Sequence, residues 1–258
     1  MNHLSSEKNI IALGSWLDSS AGMYVRTWEE SCLNTLTADI FGFNAVQIGL
    51  PEINALHANR MPNKWLTSSH PIPNPELKAQ RLAIVHDFTE LPFSTQSLDL
   101  VVLPHVLEFA SEPHQVLREV ERVLIPEGQV IICGFNPASL WGARQAAGRL
   151  SGKHFLPQDS EFISVPRLKD WLKLLNMEAS RGYFGCYAPP CRTEKWLHRF
   201  DFMDRAGDRW WPFLGAVYIV QAIKRVKGMR LVGPAWSVKN ARVPKVVPAT
   251  NKAHKTNR

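Results

Sequence analysis

The protein has 258 residues, 45% of them apolar, and a formal charge of +7. That apolar share supports a full core and excludes a wholly disordered chain, and the length suits one elaborated α/β domain with extensions as well as two domains. Four scattered cysteines, Cys32, Cys133, Cys186 and Cys191, make no C-x-x-C pair and suggest neither a zinc site nor a disulfide framework.

The charge divides unevenly. Asp208 is the last acidic residue and eleven Lys or Arg follow it, which leaves residues 1–208 at −4. The basic character therefore belongs to the C-terminal end, where 228–258 reads as a disordered tail. Such a tail can hold RNA, DNA or an anionic membrane by charge, or simply stay solvated. The N-terminus lacks a basic segment followed by an apolar core and a cleavage site, and the apolar run Leu214–Val220 is far too short to span a bilayer. A cytoplasmic protein is expected.

Along the chain, Tyr24, Trp28, Cys32 and Leu36 recur every four residues and predict one stripe of a helix, with Glu29 and Glu30 turned away. Residues 1–40 are read as a helical cover and 41–227 as an α/β domain. Gly42 ends the helix, Asn44–Ile48 is the first buried strand, Pro51–Asn59 a short helix, Lys64–Ser68 a second strand and Pro71–Pro75 a loop. Leu82–His86 and Leu98–Leu103 are continuous apolar runs of the kind found in a parallel sheet covered on both faces. An amphipathic helix over 111–124 stops at Pro126-Glu127-Gly128 and leads into a strand at Gln129–Cys133. Helices follow at 139–150 and 165–176, then strands at Met177–Gly185 and Gly215–Lys224. Between these strands the segment 189–212 carries Trp196, Trp210 and Trp211, which serve either as a substrate-side cap or as core. Cys186 and Cys191 flank a turn they could approach across, with two reduced thiols the expected state.

Two stretches, V-H-D-F-T-E-L-P-F-S-T-Q-S-L-D-L-V-V-L-P-H-V-L-E and L-R-E-V-E-R-V-L-I-P-E-G, carry more specific information. There the chain resembles class I S-adenosylmethionine-dependent methyltransferases, most closely the type 11 branch with its acid, then L-P-F, D-x-V and R-V-L-x-P-G-G. The resemblance implies a Rossmann-like α/β fold with a mostly parallel seven-stranded sheet, helices on both faces and an antiparallel pair at one edge. Ligands of such sheets bind beyond the carboxyl ends of the strands. The resemblance accordingly implies S-adenosylmethionine contacts from Gly49, Ser68, Asp87, Phe88, Leu103 and Pro104, with no metal. A turn or helix-cap role is the alternative for Asp87. His105 falls where relatives face the reacting end of the cofactor and is the candidate catalytic base, or else a hydrogen-bonded supporting residue. Glu108, close to His105 in sequence, is either its neighbour in the site or an exposed helix-face charge, and Asp99 has a structural or cofactor-side role. Asn136-Pro137 and Trp141 either border the acceptor or form an ordinary turn.

The strand-one loop departs from the family. Relatives carry an acid and alternating glycines; here the acid is Gln47, and Pro51 and Ile53 replace two glycines, leaving Gly49. Strand two ends in Ser68, Ser69 and His70 where relatives place a ribose-binding acid, and Gln129 replaces the last glycine of R-V-L-x-P-G-G. Either a modified pocket binds the cofactor, with Glu52 or a serine replacing the acid, or the cofactor has been given up. The expected function is methyl transfer to a small molecule or RNA, the alternative a noncatalytic module that binds a protein or nucleic-acid partner. A dinucleotide oxidoreductase is disfavoured because G-x-G-x-x-G is absent.

Overall fold

A computed structural model describes residues 2–68, 82–85, 88–152, 155–156, 161–191, 193–200 and 202–226. Residues 1–226 form one compact unit. The expected tail and the Pro71–Pro75 loop lie outside the described residues.

Seven strands make one sheet: β1 Asn44–Ile48, β2 Asn63–Ser68, β3 Leu82–Val85, β4 Leu98–Pro104, β5 Leu124–Phe135, β6 Met177–Gly185 and β7 Val217–Lys224. Their spatial order is β3-β2-β1-β4-β5-β7-β6. The first five are parallel, while β7 runs antiparallel between β5 and β6. This is the expected Rossmann-like architecture with its antiparallel edge pair. Central strands β1, β4 and β7 are buried almost throughout, in keeping with their mostly apolar sequences, whereas edge strand β6 is largely exposed between its buried ends.

The helices are α1 Asn2–Leu17, α2 Ser20–Ala38, α3 Val106–Phe109, α4 Pro113–Val123, α5 Leu140–Ser151, α6 Val165–Leu174, α7 Glu194–Arg199 and α8 Phe202–Trp210. Ser19 caps α2 by accepting from the Gly22 amide, and Pro113 opens α4 where no amide donor is needed. α4 buries Val116, Leu117, Val120 and Val123.

Arg122, on α4, ties the L-P-F segment to the helix in this chain. Its guanidinium donates to the carbonyls of Leu91 and Phe93, both at 3.0 Å, and pairs with Glu119, whose carboxylate accepts the Leu91 amide. The L-P-F turn is thus clamped onto the R-V-L helix. Asp99 has an equally structural task at the opposite end of the sheet from the strand carboxyl termini. Its carboxylate accepts the amides of Phe43 and Asn44 and fixes the entry into β1.

Three expectations are corrected. Residues 51–59 are turns instead of a helix, because a buried side chain, described below, organises them. Helix α2 ends at Ala38, before Gly42. Its buried row is Val25-Glu29-Leu33, one position on from the predicted stripe, so Glu29 faces inward while Tyr24, Trp28 and Cys32 are only partly buried.

Candidate active site

The carboxyl ends of β1, β2 and β4 converge on a small group of side chains. β1 ends at Gly49, whose φ of +73° lies in the left-handed region, and Leu50 follows at +38°. The Gly49 amide donates to the Thr67 carbonyl, which sets Ser68 beside it at the end of β2. A side chain at Gly49 would begin 2.9 Å from Val106 and 3.6 Å from Phe88, so those two residues already pack against the glycine. Leu103 and Pro104 close β4 and are buried. The structure thus brings together Gly49, Ser68, Phe88, Leu103, Pro104 and His105. Asp87 lies outside the described residues, as do Ser69 and His70.

Gln47 holds the loop that follows β1. Its fully buried amide nitrogen donates to the carbonyls of Gly49 (3.2 Å), Leu50 (2.9 Å) and Ile53 (2.7 Å), and its oxygen accepts the Ala55 amide (3.1 Å). A side chain that both donates and accepts is needed here, which a carboxylate cannot provide. Glu52, the expected substitute acid, lies instead against Gly14 of α1, where an added side chain would begin 2.6 Å from its carboxylate.

His105 sits just beyond β4 with φ 53° and ψ 11°, an uncommon conformation for a residue other than glycine. Its Nδ1 is 2.8 Å from Glu108 Oε2 and its Nε2 2.8 Å from Glu29 Oε1. All three side chains are buried. Burial opposes the imidazolium charge, but the two carboxylates outweigh it and push the histidine up to about 10. Burial raises Glu108 as well, against the hydrogen bonds it accepts from His105 and the Phe135 amide. Both ring nitrogens of His105 are committed to carboxylates, so neither is free in this arrangement to take a proton from an acceptor. Glu108 is buried in this cluster beside His105, which excludes the exposed helix-face alternative.

Glu29 is the residue that sequence reasoning missed. Its Oε1 meets His105, while its Oε2 is buried without a hydrogen-bond partner among the described residues. The available signal was its place midway between Val25 and Leu33, on an apolar row where an unpaired carboxylate is costly.

On the β6 side of α2 lies a cavity of about 600 Å³, bounded by Trp28, Cys32, Phe184, Asp204 and Phe213 among others. Burial, then Glu29, push the Cys32 thiol up to about 12, and all four cysteines are free. Asp204 Oδ1 accepts from the Tyr24 hydroxyl at 2.5 Å and the Tyr187 amide at 2.9 Å, tying α2 to α8. Asn136 donates to the carbonyls of Phe213 and Gly215, and buried Trp141 donates to that of Ala188. Both are structural anchors. Trp196, Trp210 and Trp211 are exposed by 53, 74 and 41%, so they are surface and not core.

Residues 67–132 match the family model described as a methyltransferase domain. Over 250 residues, 96% of each chain, the protein is 29% identical to the uncharacterized Escherichia coli protein YafS. It is 42% identical to the demethylmenaquinone methyltransferase of Clavibacter sepedonicus over 57 residues, 22% of this chain and 23% of that one. Among solved structures, a chain of the complex between the Haloferax volcanii Trm112 methyltransferase activator and a methyltransferase superposes with a TM-score of 0.60 at 15% identity, covering 85% of this chain and 99% of that one. A Thermotoga maritima S-adenosylmethionine-dependent methyltransferase gives 0.56 at 14% identity, covering 78% and 92%. Residues 67–132 thus match a methyltransferase domain, and the strand order and superpositions show that the chain has the Rossmann-like fold of these solved methyltransferases. Among the described residues no helix is long and apolar enough to cross a membrane.

Proposed function

We propose that the protein transfers a methyl group from S-adenosylmethionine to a small-molecule acceptor. The observation that carries this reading is the buried Glu29 Oε2, which has no hydrogen-bond partner among the described residues and belongs to a carboxylate held against His105 at the end of β4. An acceptor oxygen in that place suits a ligand bearing ammonium and sulfonium charge, so the residues present fit the cofactor. When bound, S-adenosylmethionine supplies a methyl group already activated by its positive sulfur.

The chain's own contribution is binding, alignment and exclusion of water, which account for much of the acceleration in a direct displacement. Gly49 and Leu50 present backbone in a left-handed turn, Phe88 offers an apolar wall, and Leu103 and Pro104 form the floor. Ser68 and Asp87 are assigned to the ribose and adenine side by family resemblance. His105 is a positioning residue whose proton, shared with Glu29 and Glu108, holds the Glu29 carboxylate in place.

Calorimetric titration with S-adenosylmethionine and S-adenosylhomocysteine tests the reading. Micromolar binding is expected, weakened at least tenfold in Asp87→Ala and in Glu29→Gln, a loss of about 1.4 kcal/mol or more. Absence of heat from folded protein would favour a second reading, a noncatalytic module that binds a partner. Gln47 favours that alternative, since its hydrogen bonds seal the loop that opens onto the cofactor in relatives. RNA held by the basic tail is the alternative acceptor, distinguished by loss of turnover when 228–258 is removed.

A further inference from the structure

We propose that the cavity bounded by α2, β6 and α8 is a binding site for an aromatic amine in its ammonium form. Its volume of about 600 Å³ falls within the ordinary range of small-molecule sites, roughly 300–1,000 Å³. Trp28 and Cys32 of α2 line it, while Glu29, on the neighbouring stripe of the same helix, meets His105. The site is therefore distinct from the cofactor-side cluster, and the proposal does not depend on methyl transfer.

The lining selects the ligand. Trp28, Tyr183, Phe184 and Phe213 supply aromatic surface, with the rings of Phe184 and Phe213 edge to face at 5.7 Å. Among the described lining residues the carboxylates of Asp204 and Asp208 stand against one guanidinium, that of Arg205. Asp204 commits Oδ1 to the Tyr24 hydroxyl and the Tyr187 amide, and its Oδ2 accepts no hydrogen bond among the described residues. An ammonium suits both features, since aromatic faces and carboxylates each attract a cation, and a flat apolar body fills the space between the rings. A ligand carboxylate would meet two acids for one arginine. The Cys32 thiol, pushed up to about 12 chiefly by burial, stays neutral and serves as wall and not as nucleophile.

The walls are fixed before a ligand arrives. The Tyr187 hydroxyl donates to the Pro212 carbonyl at 2.8 Å, Asn136 holds the carbonyls of Phe213 and Gly215, and Trp28 is seated on Gly185, where an added side chain would begin 1.9 Å from its ring. Binding therefore has little left to order.

The test is calorimetric titration of the full chain, without S-adenosylmethionine, with tryptamine and with indole-3-propionate, which carry the same ring and opposite charge. The chain's overall charge of +7 draws the anion non-specifically, so preference for the cation reports the local carboxylates. Tryptamine is expected to bind with a dissociation constant below about 1 mM, and at least about tenfold more tightly than indole-3-propionate. Asp204→Asn keeps an oxygen for Tyr24 and Tyr187 and should weaken tryptamine about tenfold, and Phe213→Ala, at an exposed ring, about threefold, with thermal unfolding unchanged in both. Weaker binding of tryptamine, equal affinity for the two probes, or an affinity unmoved in either variant overturns the proposal. The expected tryptamine result in protein that takes up no S-adenosylmethionine would sustain this site while removing the methyl-transfer reading.

Discussion

At position 47 both ends of a side-chain amide are in use, the nitrogen on three carbonyls and the oxygen on one amide. Restoring the family's acid would be harmful here: Gln47→Glu points a buried carboxylate at three carbonyl oxygens. We expect urea denaturation to show a loss on the order of 3 kcal/mol, with Gln47→Met losing a comparable amount. Unchanged stability in Gln47→Glu would mean the loop is not held by this side chain. Sequence reading detected the missing acid but took it for erosion, because the partners of residue 47 become visible only once the chain has turned back on it. Glu29 was hidden for a related reason: helical spacing identifies apolar rows, and nothing in the sequence reveals that His105, 76 residues away, completes one.

At the scale of elements, the strands were legible because burial leaves mostly apolar runs in the sequence, and helix α4 because its Pro113 start and apolar row agree. The turns at 51–59 were not, since a single distant amide, and not a local period, sets their path. Neither was the seat of α2, which depends on Gly185 at the end of β6. An added side chain there would begin 1.9 Å from Trp28. Gly185→Ala should therefore push α2 outward, costing about 1–3 kcal/mol as overpacking does. Hydrogen exchange should speed up in α2 before it does in β4 and β5. If α2 stays protected, Trp28 has room to swing aside and the close fit is not what seats the helix.

For the whole molecule, buried protonation sites govern the response to pH. His105 is pushed up to about 10 from an ordinary value near 6.5, and Glu108 is raised as well. In both cases the folded protein holds protons that the unfolded chain releases, so stability falls as pH rises. The histidine contribution is complete below about pH 6.5 and is lost progressively towards pH 10. Denaturant midpoints should decline across that window, and His105→Gln should flatten the decline; a wild-type curve level from pH 7 to 10 would show that the imidazolium is not held as described.

The tie between Tyr24 and Asp204 joins residues 180 positions apart, and α2 also rests on Gly185. On the ribosome, α2 emerges long before the strand and helix that receive it, an interval on the order of ten seconds or more at ordinary elongation rates. Its apolar row and Glu29 must wait in the open, which makes the nascent N-terminal helices a client for chaperones. Slowing translation between residues 40 and 200 should therefore lower the yield of folded protein more than slowing it after residue 226.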